Sequence, residues 1–339
     1  MKLEHEILTI HTRDPFVIAR GGAAEWRVVT VRVIDADGAV GWGEAAPSRF
    51  YGETADTVAV ALAQFAPVLA HADPWSLETT EAELNRAMRG NAAAKSAVSA
   101  ALHDLAAKRL GVPLYRLWGL DPARAPRSSF TIAIAGDAEL RRRVREAKAY
   151  PILKVKLGTD RDEDILRIVR EEAPDKTLRV DANAAWSARR ALRMMDCLVR
   201  HDVEFVEQPL PPHDVEGLRF VRERAPLPII ADESCLVATD IPRLVGAVDG
   251  INIKLAKCGG LREALRMIAV ARAHGMMVMV GCMIESSLGI TAAAHFTPLV
   301  DIVDLDGAAL LSKDPFTGAR IDGGQVTLPD GPGLGVRAR

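Results

Sequence analysis

Five short segments in the second half of the chain each carry a charged residue at a nearly constant interval. The charged residues are Lys156, Asp181, Glu207, Asp232 and Lys254, so the steps are 25, 26, 25 and 22 residues. A strand, a turn, a helix and a return loop take about that many residues, because a barrel of eight such units has roughly 250. We therefore expect each charge at the C-terminal end of a successive barrel strand, where barrel enzymes place their catalytic residues.

The order of these charges, one lysine, three acids and one lysine, indicates metal-assisted chemistry. Three carboxylates suit a hard divalent cation such as Mg²⁺, and two amines would flank whatever that cation holds. One alternative is that each acid caps the helix after its strand, which would explain any one of them. For the lysines, the alternative is that they only neutralise the acids as ion pairs.

The lysines also suggest how a proton could be moved. Lys154 lies two residues before Lys156, so both side chains point to the same face of their strand, into the barrel. Lys254, on the sixth strand, is expected on the opposite side of the barrel mouth. Two bases that face each other across one carbon can remove a proton from one face and return one to the other. Lys257 is expected in the loop beyond the strand, as a surface lysine.

Composition limits the class of protein and its partners. A chain of 339 residues, 49% hydrophobic and 26% charged, is typical of a globular protein large enough for two domains. A net charge of −2 shows no basic excess, so we expect neither nucleic acid nor an anionic membrane as a partner. Acidic residues near the N-terminus speak against a signal peptide, so we expect a cytoplasmic protein. The cysteines show no CxxC spacing, which indicates reduced thiols rather than disulfides or zinc ligands: Cys197, Cys235, Cys258 and Cys282.

Residues 1–115 are predicted to form an α+β capping domain. Alternating segments at 26–35 and 40–45, joined by a four-residue turn with Asp37-Gly38 at its centre, predict an antiparallel hairpin. Two helices should follow. One begins after Thr54, and the other runs from 91 to 110 with Asn91 as its N-cap.

Residues 116–315 are predicted to form an α/β barrel. Eight candidate strands alternate with helical stretches: FTIAIA, ILKVKL, LRVDA, VEFVEQ, LPIIAD, GINIKL, MVMVGC and DIVDLD. Such alternation is typical of parallel βαβ units. The remaining residues, about 316–339, are rich in turns and too irregular for another unit, so we expect them to return to the capping domain and complete it.

Taken together, these motifs resemble those of the enolase superfamily and, within it, the muconate-lactonizing-enzyme subgroup. The resemblance rests on K-x-K at 154–156, D-A-N at 181–183, V-E-Q-P at 206–209, A-D-E-S at 231–234, N-I-K-x-x-K-x-G-G at 252–260 and G-W-G-E at 41–44. It covers the whole chain. It implies a modified TIM barrel, (β/α)7β, beneath an N-terminal α+β capping domain.

The resemblance also implies roles for the charged residues. Asp181, Glu207 and Asp232 would hold one Mg²⁺ per subunit, and the metal would bind the carboxylate of the substrate. Lys156 and Lys254 would be the catalytic acid and base. The chemistry is consistent, because removing a proton next to a carboxylate gives an enediolate whose charge a divalent cation stabilises as it develops.

The last strand indicates the substrate. Asp304 and Asp306 lie two apart on one face of strand eight, beyond the three acids needed for a metal, and two further acids suit an ammonium group. The pair resembles that of the dipeptide epimerases, which binds the free α-amino group of a dipeptide. The alternative is capping and turn formation before Gly307.

Four further residues are expected to contact the substrate. Arg20, in a segment at 14–26 predicted to be a mobile loop, resembles the residue that holds the distal carboxylate of glutamate in L-Ala-D/L-Glu epimerases. A solvated surface arginine is the alternative. Thr131 on strand one and Cys282 on strand seven fall at the barrel mouth, and Lys154 points into it.

The expected function is that of a Mg²⁺-dependent dipeptide epimerase, acting on L-Ala-D/L-Glu in murein peptide recycling. Other reactions of the superfamily are the alternatives: N-acylamino acid racemase, o-succinylbenzoate synthase and muconate cycloisomerase. A metal-dependent hydrolase usually brings an H-x-H pair on strand one, and FTIAIA has none. A non-catalytic metal-binding scaffold would not need two facing lysines. The expected partner is a small dipeptide, and a homo-oligomer is left open.

Overall fold

The computed structural model describes all residues, Met1–Arg339, and begins with an antiparallel sheet packed on helices. The sheet has the order β1-β2-β3. Its strands are β1 (Lys2–Ile18), β2 (Gly21–Ile34) and β3 (Val40–Ala45). The helices that follow are α1 (Ala55–His71), α2 (Leu77–Ala87), α3 (Ala92–Arg109) and the short α4 (Leu114–Leu117).

The predicted hairpin between β2 and β3 is confirmed, whereas β1 and α2 were not predicted. β1 pairs with β2 along most of its length, and α2 lies between the two predicted helices. The segment predicted to be a loop around Arg20 is instead a β-hairpin, in which Ile18 pairs with Gly21. Phe16 and Trp26 within this segment explain the hairpin, because their rings lie 6.4 Å apart and pack on the buried residues Ile10 and Val28.

Side-chain hydrogen bonds cap the starts of α1 and α3. Thr54 accepts from Thr57 N at 3.2 Å and Thr57 Oγ1 accepts from Thr54 N at 2.9 Å, which is a capping box. The prediction that Asn91 caps α3 is wrong. Asn91 has φ of 53° and makes no capping bond; the carboxylate of Glu53 accepts from Ala92 N at 2.6 Å and from Ala93 N at 3.1 Å instead.

The second unit is a barrel of eight parallel strands in sequential order. A bridge between Ser128 and Val303 joins the first strand segment to the last and closes the sheet. The strands are β4 (Phe130–Ile132), β5 (Ile152–Lys156), β6 (Thr177–Asp181), β7 (Val203–Glu207), β8 (Ile229–Ala231), β9 (Gly250–Ile253), β10 (Met277–Gly281) and β11 (Ile302–Asp304).

Helices follow the first seven strands, and only a 3-10 turn follows the eighth. They are α5 (Asp137–Glu146), α6 (Asp162–Glu172), α7 (Ala188–Arg200), α8 (Val215–Arg222), α9 (Ile241–Leu244), α10 (Leu255–Cys258), α11 (Leu261–Ala273) and α12 (Ser287–Ala294). The arrangement is that of the predicted (β/α)7β barrel. No helix combines the length and the hydropathy that a bilayer crossing would need.

The chain ends in four short strands, β12 (Phe316–Thr317), β13 (Arg320–Asp322), β14 (Gln325–Thr327) and β15 (Arg337–Ala338). Asp104 on α3 accepts from Trp42 N at 2.8 Å and from Leu334 N at 2.7 Å. The rings of Trp42 and Phe316 lie 5.8 Å apart. These contacts join the C-terminal residues to the N-terminal unit, while the predicted boundaries at 115 and 315 stay a prediction.

The G-W-G-E segment fixes β3 against both α3 and the barrel. A Cβ on Gly41 or Gly43 would lie 1.9 Å from a backbone oxygen of α3, so only glycine allows this approach. Glu44, which follows, is fully buried and accepts from Ser286 N at 2.9 Å, at the start of α12. Burial raises the pKa of Glu44 to about 8, with the nearby Glu285 acting in the same direction.

This buried acid makes stability depend on pH. The folded protein holds the Glu44 proton more tightly than the unfolded chain, so the free energy of unfolding should fall as the pH rises from 4.5 to about 8. The expected slope is at most about 1.4 kcal/mol per pH unit. Thermal unfolding at pH 5, 7 and 9 measures this slope. It should be smaller in Glu44→Gln than in the wild type, whereas Glu6→Gln, on the exposed side of β1, should keep the wild-type slope. Equal slopes in all three proteins would contradict this reading.

Candidate active site

The three predicted metal-binding acids come together at the C-terminal ends of neighbouring strands. Asp181 ends β6, Glu207 ends β7 and Asp232 directly follows β8. All three side chains are buried, and one carboxylate oxygen from each lies within 4.8 Å of the others. The capping alternative is not observed, because α7 and α8 are capped by Ser187 and Asp214 instead.

Each of these carboxylates has one oxygen fixed by a framework donor. Asp181 Oδ1 accepts from Asn183 N at 2.8 Å, and Glu207 Oε1 accepts from Asn252 Nδ2 at 2.8 Å. Asp232 Oδ1 accepts from Lys257 Nζ. The second, inner oxygens of the three carboxylates are Asp181 Oδ2, Glu207 Oε2 and Asp232 Oδ2, of which the first also accepts from Asn183 Nδ2 at 3.1 Å.

Three lysines occupy those inner oxygens. Lys156 Nζ lies 2.6 Å from Asp181 Oδ2, Lys254 Nζ lies 2.7 Å from Asp232 Oδ2, and Lys154 Nζ lies 2.6 Å from Glu207 Oε2. The ion pairs of the alternative reading are therefore present. They are compatible with catalysis, because the same three lysines also line the cavity above the cluster.

The negative charges of the three carboxylates favour binding of a cation. Burial raises the pKa of Glu207 to about 7, and repulsion from Asp181 adds to the effect. Although burial acts to raise it, Lys156 and Lys154 hold the pKa of Asp181 below its ordinary value. Three buried carboxylates this close repel one another unless positive charge lies between them.

The donor set fits Mg²⁺. Carboxylate oxygens are its preferred ligands, and three of them converge here. Two further buried oxygens beside the cluster, Asn183 Oδ1 and Asn252 Oδ1, accept no hydrogen bond from the protein. Asp181, Glu207 and Asp232 are therefore the residues that would hold the metal.

The two predicted catalytic lysines lie on opposite sides of the barrel mouth. Lys156 ends β5, the second strand of the barrel, and Lys254 follows β9, the sixth. Although burial acts to lower it, Asp232 and Glu207 raise the pKa of Lys254 above its ordinary value. Lys154 responds in the same way to Asp304 and Glu207, so it stays charged.

The prediction that Lys257 lies on the surface is wrong. It lies on α10, and its side chain is 0% exposed. Its ammonium group bonds Asp232 and the backbone oxygens of Asn252 and Cys235, at 2.9 and 3.3 Å. The sequence does not indicate this burial. The helix α10 begins directly after Lys254 and places Lys257 beneath the end of β9.

A cavity of about 680 Å³ lies between the N-terminal sheet and the barrel mouth. Its walls include every residue that the sequence indicated as catalytic or substrate-binding: Arg20, Thr131, Lys154, Lys156, Lys254, Cys282, Asp304 and Asp306. Among the metal-binding candidates, Asp232 reaches the cavity wall, whereas Asp181 and Glu207 lie deeper. The volume suits a small molecule of dipeptide size.

The two acids of strand eight differ in their surroundings. Asp304 accepts from Ser129 Oγ at 2.6 Å and from Lys154 Nζ at 2.7 Å, so both its oxygens are engaged. Asp306 accepts from Thr131 N at 2.6 Å through Oδ2, while no protein donor contacts Oδ1. It makes no capping bond before Gly307. Asp306 is therefore the acid that is free to bind a ligand.

Arg20 reaches the cavity from the turn of the β1–β2 hairpin. Its guanidinium lies 2.7 Å from Glu233 Oε1, donates to Asn183 O at 2.6 Å and stacks 4.1 Å from the centre of the Phe50 ring. Glu233 is buried, and burial raises its pKa, with Asp232 acting in the same direction. This ion pair could not be predicted from the sequence, because the two residues are 213 positions apart.

Other motif residues hold the loops of the site. Gln208 accepts from Asp232 N at 2.9 Å and from Ser234 N at 3.1 Å, and its amide donates to Leu210 O at 2.7 Å. Asn183 has φ of 46°, which turns the chain directly after β6. The motifs D-A-N and V-E-Q-P could have indicated these two residues, because polar side chains beside buried strand ends need hydrogen-bond partners.

Two family models match the chain and define its class. The Mandelate racemase / muconate lactonizing enzyme, N-terminal domain, matches residues 4–119, and the Enolase C-terminal domain-like model matches residues 137–339. The chain therefore belongs to the enolase superfamily, in its mandelate racemase / muconate lactonizing enzyme branch.

Its relatives include several epimerases. The L-Ala-D/L-Glu epimerase of Bacteroides thetaiotaomicron is 42% identical over 310 residues, which cover 89% of this chain and 79% of that protein. The hydrophobic dipeptide epimerase of Roseobacter litoralis is 40% identical over 99% of this chain and 98% of its own. The dipeptide epimerase of Cytophaga hutchinsonii, complexed with Mg and D-Ala-L-Val, has a TM-score of 0.95 at 30% identity, covering 99% and 95%.

The predicted superfamily and barrel fold are thus confirmed. The predicted enzyme class is confirmed as well, since these relatives are epimerases, which are isomerases. The related structure contains Mg, and the carboxylate cluster of this chain has the donors that Mg²⁺ requires.

Proposed function

We propose that the protein is a Mg²⁺-dependent dipeptide epimerase that inverts the α-carbon of the C-terminal residue. The observation that carries the proposal is the placement of Lys156 and Lys254 on opposite sides of one cavity, above three converging carboxylates. The relatives named for dipeptide epimerisation support the same reading.

In this mechanism each lysine serves one face of the α-carbon. One removes the α-proton as a base, and the other, in its ammonium form, returns a proton to the opposite face. Asp181, Glu207 and Asp232 would hold Mg²⁺, which would supply positive charge close to the substrate carboxylate. Lys154, which stays charged, lies beside the same cluster and would help to neutralise that carboxylate.

The ends of the dipeptide would be held by charges around the cavity. Asp306 would accept the free ammonium group through Oδ1, while Asp304 keeps Lys154 in place. Thr131 and Cys282 line the wall beside Asp306. Arg20 would bind the distal carboxylate of a C-terminal glutamate, and the substrate would then be L-Ala-D/L-Glu, as in the reuse of murein peptides.

A second candidate is a dipeptide with an apolar C-terminal residue. The guanidinium of Arg20 is already paired with Glu233, whose carboxylate would repel a second acid close by. The aromatic rings of Phe50 and Trp26 also line the cavity.

A screen of L-Ala-L-Xaa dipeptides with Mg²⁺, read by chiral chromatography, tests the proposal and separates these substrates. Conversion of L-Ala-L-Glu ahead of the rest would support the glutamate assignment. Preference for apolar residues would support the second candidate. If no dipeptide is epimerised while an N-acylamino acid is racemised, the dipeptide assignment fails.

Asp306→Asn should lower kcat/KM for every dipeptide by about 10- to 150-fold, since a charge-assisted hydrogen bond to the substrate ammonium contributes about 1.5–3 kcal/mol. N-acylated amino acids, which lack that ammonium, should be unaffected. The asparagine can still accept from Thr131 N, so the fold should be kept. Dipeptide kinetics equal to those of the wild type would contradict the role of Asp306.

Arg20→Met should lower kcat/KM for L-Ala-L-Glu by a similar factor and leave dipeptides with apolar C-terminal residues nearly unchanged. The matched control is Arg32→Met, an arginine on β2 of the same hairpin that pairs with Glu4 at 2.7 Å and is not part of the cavity wall. Equal losses for acidic and apolar dipeptides would show that Arg20 does not select the side chain.

A further inference from the structure

Lys257 carries a buried charge with four oxygen partners, yet neither step of proton transfer uses it. Its ammonium group contacts Asp232 Oδ1, Asp232 O at 2.6 Å, Asn252 O at 2.9 Å and Cys235 O at 3.3 Å. Its side chain does not reach solvent. It is also absent from the walls of the cavity, so it cannot touch a substrate.

Its position links two groups that the reaction needs. Asp232 offers one oxygen to Lys257 and the other to Lys254, so the two lysines hold one carboxylate between them. Lys257 N also donates to Lys254 O at 2.9 Å, in the first turn of α10. A change at Lys257 would therefore affect Asp232 and Lys254 directly, and the opposite wall of the cavity only indirectly.

The other side of the site is held differently. Asp181, which faces Lys156, accepts from Asn183 N at 2.8 Å and from Asn183 Nδ2 at 3.1 Å. Neither of these donors belongs to Lys257. The two catalytic lysines thus rest on separate supports, one made by Asn183 and one made by Lys257.

We propose that Lys257 is a positioning residue that orients the Asp232 carboxylate and, through it, Lys254. The inference rests on the proposed two-lysine function. An ammonium group suits this position because it has three donors that can reach the carboxylate and the surrounding carbonyls at once. Without it, Asp232 could rotate, and Lys254 would lose the oxygen that holds it in place.

The test uses exchange of the α-proton with D2O, measured separately for the two epimers of the best dipeptide from the screen. Variants Lys254→Ala and Lys156→Ala show which epimer each lysine serves. In Lys257→Met, which keeps the length but removes the charge, exchange on the Lys254 side should fall by about tenfold or more, the effect of about 1.4 kcal/mol. Exchange on the Lys156 side should change by less than about threefold.

Calorimetric titration with Mg²⁺ gives a readout that does not depend on turnover. Mg²⁺ should bind Lys257→Met at least as tightly as the wild type, because removing a positive charge beside Asp232 lessens the repulsion of an incoming cation. Lys95→Met is the matched control: Lys95 is another buried lysine, on α3 beside Gly259, with no carboxylate partner. It should leave the Mg²⁺ affinity and both exchange rates unchanged.

Equal losses of exchange on both faces, with weakened Mg²⁺ binding, would show that Lys257 only supports the fold and would overturn the proposal. If Lys257→Met does not fold, Lys257→Gln, which keeps two donors, replaces it under the same criteria. A wild-type protein that exchanges neither epimer would contradict the proposed function itself. A wild type that exchanges both, with equal losses in the variant, would contradict only the role of Lys257.

Discussion

Lys254→Ala is expected to abolish epimerisation while leaving α-proton exchange of one epimer. A positioned general base or acid typically contributes about 10²- to 10⁴-fold, and inversion requires both lysines in turn. Exchange of a single epimer requires only the lysine on its own side. Because Lys156 lies on the second strand and Lys254 follows the sixth, the removal of one leaves the other in place.

The mirror result is expected for Lys156→Ala, in which only the other epimer should exchange. ¹H NMR of the α-proton signal in D2O measures each rate, starting from each pure epimer. Circular dichroism and thermal unfolding check that both variants fold. If both variants lost exchange of both epimers equally while folded, the assignment of one lysine to each face would have to be abandoned.

Glu207→Gln is expected to lower kcat by about 10²-fold or more, because a metal ion contributes several kcal/mol to the stabilisation of developing charge. The fold should be kept. The amide can still accept from Asn252 Nδ2 at Oε1, and Lys154 keeps Asp304, 2.7 Å away. Calorimetry should show Mg²⁺ binding weakened along with the activity.

Glu204→Gln is the matched control for this variant. Glu204 lies on the same strand as Glu207, three residues earlier, and is exposed and paired with Arg179 at 2.7 Å. It should retain wild-type Mg²⁺ affinity and kcat. Full activity of Glu207→Gln after metal has been stripped and not returned would contradict the role of the carboxylate cluster.

The barrel could be predicted from the sequence because its signals are periodic. Three successive buried strands end in a charged residue, so Lys156, Asp181 and Glu207 mark strand ends directly, and a helix follows each of them. Parallel strands place those ends on one face, and the cluster follows from that geometry. The capping-domain hairpin was predicted for a similar reason, since strands 26–34 and 40–45 alternate around a short turn.

What could not be predicted depends on contacts between distant residues. Glu53 caps α3 across 39 positions, and nothing local distinguishes it from Asn91, which has the residue type preferred at a cap. Arg20 and Glu233 form their ion pair only when the β1–β2 hairpin folds over the barrel. Lys257 is buried because α10 turns back beneath β9, a bend that periodicity over four residues cannot indicate.

The central claim is that two lysines invert a dipeptide α-carbon without breaking the peptide bond. The most direct measurement is mass spectrometry and ¹H NMR of the preferred dipeptide after incubation with the wild-type protein and Mg²⁺ in D2O. We expect one deuterium in place of hydrogen at the α-carbon of the C-terminal residue, appearance of the second epimer and an intact peptide bond. Release of free amino acids without deuterium at the α-carbon would contradict it and favour a hydrolase.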